Sequence, residues 1–160
     1  MLFRSDNKNE VLQFIKILHY HGGGTKTGLA LKFARENVFV KQRGGRKSQG
    51  VQQVAVVITD GESQDEVEKE AADLRRDGVT IYAIGIKDAD ETQLVQIASH
   101  PSTKHVYNVD SFVRLKTLQK SLVKTMCRNI FRQAIAVNER RTDIKEGLGP
   151  MQLQFRSCFC

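Results

Sequence analysis

Val11, Phe14, Ile15 and Leu18 recur at i, i+3, i+4 and i+7 within residues 7–19, the apolar stripe of an amphipathic helix that Asp6 can cap. Gly22-Gly23-Gly24 ends it. A second helix is predicted to begin after Thr25 and run to about Phe39, with Ala30, Phe33, Ala34 and Val38 inward. Residues 41–50 are polar and basic and read as a loop. Val54-Ala55-Val56-Val57-Ile58 is then apolar without alternation, as in a strand buried on both faces. Residues 64–76 read as a helix with Val67, Ala71 and Leu74 inward, and Val79 to Ile84 as a second buried strand. Residues 91–98 form a short helix with Leu94, Val95 and Ile97, and His105 to Val109 a third, more polar strand nearer an edge. Phe112, Leu115, Leu118, Leu122 and Met126 mark a long last helix ending near Cys127. Strands alternating with helices imply a mostly parallel sheet joined by right-handed crossovers, so the fold class is doubly wound, Rossmann-like α/β. Residues 129–160 lose this rhythm and read as a basic tail, helical at its start and ending in Cys158 and Cys160.

Composition narrows the function classes. The chain has 160 residues, 40% hydrophobic and 27% charged, which fits one domain or a domain plus a tail. Its 12 glycines cannot supply the every-third-position glycine of a collagen triple helix. No apolar run approaches the roughly 20 residues of a membrane-spanning helix. Residues 1–10 contain no apolar signal core, so no secretory signal is expected in this chain. The net charge of +7 favours encounter with polyanions. Cys127, Cys158 and Cys160 form an odd set; the last two are too close for an easy mutual disulfide, and no zinc ligand cluster accompanies them.

Candidate chemistry lies in a few short stretches. Gly22 to Gly28 is glycine-rich, but a phosphate loop needs a different Gly–Lys spacing directly after a strand. A glycine turn and helix start is the simpler reading. Asp60 follows the first predicted strand directly, at the carboxyl edge where doubly wound sheets bind ligands. A carboxylate there, joined by a threonine hydroxyl from another loop, suits a hard divalent cation such as Mg2+, whereas an Asp-Gly turn capping the next helix is the bland alternative. Ser63 lacks the flanking glycine of a nucleophile elbow. His19 and His21 could hold a metal only with further ligands that are not evident. Lys41, Arg43, Arg46 and Lys47 could bind heparin-like polyanions or form a solvated loop; no aromatic residue stands among them for base stacking, so no specific nucleic acid is expected.

Taken together these pieces resemble a von Willebrand factor type A domain. The matching text is Gly-Gly-Gly-Thr-Lys-Thr-Gly-Leu-Ala-Leu at 22–31 and Val-Val-Ile-Thr-Asp-Gly-Glu-Ser-Gln-Asp at 56–65. It continues with Gly-Val-Thr-Ile-Tyr-Ala-Ile-Gly-Ile at 78–86, Leu94 to Ser99, and His-Val-Tyr-Asn-Val at 105–109. The resemblance spans about 1–128, leaving 129–160 as the tail. It is most like the A domains of collagen VI alpha chains, with fibril-associated collagens and matrilins close behind. It implies a secreted, non-enzymatic adhesion or assembly module of the extracellular matrix that binds matrix proteins such as collagens, or other A domains. It further implies a metal-ion-dependent adhesion site, to which Thr25 and Asp60 correspond as ligands.

The family's first metal motif, Asp-x-Ser-x-Ser, is absent from this sequence. The resemblance begins near the family's antiparallel edge strand, matched at best by Met1 to Arg4, so the first strand, first helix and second strand of the family have no counterpart. Cys127 likewise lacks its usual family partner. A truncated domain is therefore expected, with a degraded metal site that binds Mg2+ poorly. Each buried ladder group left unpaired costs about 1–3 kcal/mol, against a net domain stability of about 5–15 kcal/mol. The chain alone is thus expected to be unstable, to aggregate or to borrow a strand. The competing functions are a metal-assisted or nucleotide-binding Rossmann-like protein, or a non-functional truncated product.

Overall fold

A computed structural model describes residues 7–19 and 22–142 of the chain. Helix α1 (Lys8–Lys16) and helix α2 (Thr27–Asn37) precede two single-turn 3-10 segments, Lys41–Arg43 and Lys47–Gln49. Strand β1 (Gln53–Thr59), helix α3 (Glu68–Arg76), strand β2 (Val79–Ile86), helix α4 (Glu91–Ile97), the single turn α5 (Ser102–His105) and strand β3 (Val106–Val109) follow. Helix α6 (Leu115–Thr142) comes last and passes residue 128 and Cys127 without a break, rather than ending near Cys127. Cys127 is disulfide-bonded. Cys158, Cys160, Asp6, His21 and the stretch Met1 to Arg4 lie outside the described residues.

The strands form one parallel sheet in the order β1-β2-β3. The central strand Val79–Ile86, apolar except for Thr80, is buried at every position, as a strand covered on both faces must be. On one face Ile81 and Ala83, with Ala55 and Val57 of β1, pack against Leu31 of α2, Ala71 and Leu74 of α3, and Leu94 and Ile97 of α4. Burial of each Leu or Ile there contributes about 1.5–3 kcal/mol. Gly85 lets α4 approach, because a Cβ at that position would stand 2.5 Å from Leu94 Cδ1. On the other face Tyr82 and Ile84 are sealed, and Asn129 of α6 donates to the Tyr82 hydroxyl at 3.0 Å.

That second cover does not extend to β1. Val56 and Ile58, in register with Tyr82 and Ile84, are 43% and 59% exposed. The expectation that Val54 to Ile58 is buried on both faces is corrected accordingly: one face is packed and the other open. The outer edge of β1 has no strand partner among the described residues.

Three helix readings shift for the same reason, that apolar spacing reports which residues could be covered and not what covers them. In α1, Asn7 provides a cap, accepting from the Asn9 N–H at 2.9 Å, and no residue of the helix is buried. In α2 the inward residues are Thr27, Gly28 and Leu31, whereas Ala30 and Phe33 face solvent. In α4 Leu94 and Ile97 are buried and Val95 is exposed. The α3 stripe Val67, Ala71 and Leu74 is buried as expected, although the helix starts at Glu68 and residues 60–67 form a loop.

Candidate functional site at the carboxyl edge

Thr59 ends β1, and its hydroxyl donates to the Gly61 carbonyl at 2.9 Å, turning the chain sharply at Asp60. The loop that follows is fastened from two sides. From α4, the Gln93 side-chain oxygen accepts from the Ser63 N–H at 2.8 Å. From the segment before α2, the Thr25 carbonyl accepts from the Gln64 N–H, also at 2.8 Å. The loops carrying Thr25 and Asp60 are thus joined at one end of the sheet, and both residues are exposed there. Among the described residues neither side chain has a hydrogen-bond or ion-pair partner.

A second set of contacts makes this junction rigid. Lys26, the residue before α2, supplies no side-chain cap, so the first N–H groups of the helix need partners from elsewhere. Ser63 Oγ accepts from the Thr27 N–H at 2.9 Å. Asp65 accepts from the Gly28 and Leu29 N–H groups at 3.0 and 2.8 Å, one on each carboxylate oxygen. The Ser63 hydroxyl in turn donates to Asp65 at 2.6 Å. Burial pushes the Asp65 carboxyl upward, but the hydrogen bonds from Ser63 and from the Leu29 and Gly28 N–H groups outweigh it and hold the group below its ordinary 3.8. The carboxylate also sits well at the positive end of a helix dipole. Gly28 is the point of closest approach, since a Cβ there would lie 2.0 Å from the Glu66 carbonyl oxygen.

Sequence reasoning singled out Thr25 and Asp60 and missed Ser63 and Asp65 as their support. The signal was a Ser-x-Asp pair just after an Asp-Gly turn, but its partners lie 36 and 37 residues away in the chain. The same clamp bears on the glycine-rich stretch. The N–H groups a phosphate would use are occupied by Ser63 and by a carboxylate that repels anions, and the preceding element is a helix rather than a strand. As a metal site, Thr25 and Asp60 are hard oxygen donors of the right chemistry, and no group of three or more His, Cys, Asp or Glu is gathered among the described residues.

The basic residues lie at the far end of the sheet. Lys41 and Arg43 are on the first 3-10 turn, Arg46 precedes the second and Lys47 opens it, all before β1 begins. The seven residues of β1 place this end about 20 Å from Asp60.

The family model of the von Willebrand factor type A domain matches residues 2–121. The collagen alpha-6(VI) chain of Homo sapiens is 41% identical over 141 residues, covering 88% of this chain and 6% of that protein. The collagen alpha-1(XII) chain of Oryctolagus cuniculus is 41% identical over 77% of this chain and 19% of its own length. Matrilin-1 of Homo sapiens is 36% identical over 76% of this chain and 25% of its own. Among solved structures, proximal thread matrix protein 1 of the mussel byssus, with a zinc-occupied MIDAS motif, superposes at a TM-score of 0.71. It shares 33% identity over 78% of this chain and 32% of that one. The chain therefore spans from 6% to 25% of the length of these curated relatives.

Proposed function

The chain belongs to the von Willebrand factor type A family, and from that premise we propose that it is a non-enzymatic adhesion and assembly module of the extracellular matrix. The module covers about residues 1–128, with α6 carrying it on past that point through Asn129, and the basic segment 129–160 begins on that helix. The observation that carries the reading is the junction at the carboxyl edge: Thr25 and Asp60 are presented, exposed and unengaged, on two loops that Ser63 and Asp65 lock together. The bound partner is a matrix protein such as a collagen, or another A domain.

The cation site is a degraded one. The Thr25 hydroxyl and the Asp60 carboxylate would hold Mg2+, which would supply a positive centre for an acidic side chain of the partner. Two protein ligands leave the rest of an octahedral shell to water, so affinity is poor. A surface-binding assay of the full chain on immobilised collagen tests the reading. Binding that falls at least fivefold in both Asp60→Ala and Thr25→Ala supports it, and binding unchanged in both overturns it.

A second activity rests on the other end of the molecule. Lys41, Arg43, Arg46 and Lys47 crowd onto two consecutive single turns, which favours capture of heparin-like polyanions there. Nucleotide binding is disfavoured by the occupied N–H groups of α2.

A further inference from the structure

At the amino end of β2 lies a cleft of about 650 Å³ whose walls include Gln52, Arg75, Arg76, Ser99, His100 and His105. This volume is in the range of small-molecule sites, about 300–1,000 Å³. None of the described residues that line it is acidic. Arg75 is partly buried, and its Nη1 donates to the carbonyls of Gln96, Ile97 and Ala98 at 2.7, 2.9 and 3.2 Å. Among the described residues no carboxylate comes within ion-pair distance of it. Burial pushes its pKa down, with Glu68 opposing and Arg76 adding to the shift. A partly desolvated guanidinium that makes no ion pair among the described residues, beside an open cleft, is a place where an anion lowers the energy.

The surroundings extend the same chemistry. Arg76 is 75% exposed at its side chain and pairs with Asp73 on its own helix. Lys47 reaches over Gly78, with Nζ 3.8 Å from where a Cβ of that glycine would stand. Gln52 also lines a second cleft of about 250 Å³, whose walls include Arg43 and Arg46. Two adjoining clefts, each with arginines, match a polymer that carries an anion on successive units. Ser99 and Gln52 also line the first cleft; Ser99 Oγ accepts from the Ile81 N–H at 2.9 Å and Gln52 Nε2 donates to Thr80 at 2.7 Å, so the Ser99 hydroxyl hydrogen and the Gln52 side-chain oxygen are the groups that suit sugar hydroxyls.

We propose that the amino-end cleft is a binding site for a sulfated saccharide unit, with Arg75 and Arg76 as the oxyanion-binding groups and the Arg43–Lys47 turns receiving the continuing chain. The proposal deepens the polyanion reading of that loop and is independent of the Thr25–Asp60 edge. The test uses the full chain and a heparin disaccharide, with calorimetry as the readout. The disaccharide is expected to bind, with its affinity falling at least fivefold in Arg76→Gln and in His100→Gln. It should stay within twofold in Lys41→Gln/Arg43→Gln, a variant that weakens long heparin only. Asp60→Ala should leave it unchanged. Disaccharide affinity untouched by both cleft variants would overturn the proposal. So would a glutamate oligomer of equal charge binding as tightly as the disaccharide, because the cleft would then belong to acidic protein segments.

Discussion

Asp65 and Gly28 meet where α2 touches the loop after β1, and each makes a separate demand on the sequence. Gly28→Ala would drive a methyl group into the Glu66 carbonyl. We expect a loss of about 1–3 kcal/mol, the usual cost of overpacking, read as a lower urea midpoint. Asp65→Asn removes the charge from the shared cap and should cost about 1 kcal/mol at neutral pH. The pH dependence follows from the direction of the shift. A carboxyl whose folded pKa is depressed contributes stability above its unfolded pKa of about 3.9, and that contribution is lost as pH falls through the lower folded value. Urea midpoints measured from pH 6 to pH 3 should therefore fall less steeply in Asp65→Asn than in the parent chain.

Among the elements, what the sequence disclosed depends on whether a pattern carried its own context. Val79–Ile86 was legible because a mostly apolar, β-branched run between turn residues fits a strand covered on both faces, and here helices lie on both sides of it. Val67, Ala71 and Leu74 were legible because a charged helix offers a single apolar stripe. Val54 to Ile58 looks the same as β2 on paper, yet one face of it is open, since coverage depends on which elements lie beside it. The phase of α2 escaped because its closest contact is made by a glycine and its cap by residues far along the chain. Thr25 and Asp60 were visible as residue types at plausible edges; the Ser63–Asp65 clamp behind them was not, because its partners are paired only by folding. The corrected α2 phase makes a prediction. Leu31→Ala should destabilise by about 2–5 kcal/mol, as for a buried leucine, while Phe33→Ser, at a position 52% exposed, should change stability by less than about 0.5 kcal/mol.

For the molecule as a whole, the two ends of the sheet present different chemistry and its side carries a liability. The carboxyl end presents Thr25 and Asp60, and the amino end presents the basic turns and the arginine cleft. Along the side, β1 is a seven-residue strand without a charged residue, with an outer edge unpaired among the described residues and Val56 and Ile58 uncovered. Such an edge invites pairing with another strand. We expect the chain to self-associate in size-exclusion chromatography with light scattering. Ile58→Lys, which places a charge on the open face, should shift it toward monomer without lowering the melting temperature.

The weak cation site proposed for Thr25 and Asp60 lies across two loops that are joined by hydrogen bonds. Equilibrium binding of Mn2+, used as a paramagnetic stand-in for Mg2+ and followed by its electron paramagnetic resonance signal, tests it most directly. The prediction is a single site of millimolar affinity, displaced by Mg2+ and lost in both Thr25→Ala and Asp60→Ala. Micromolar affinity, or binding that survives in either variant, would contradict it.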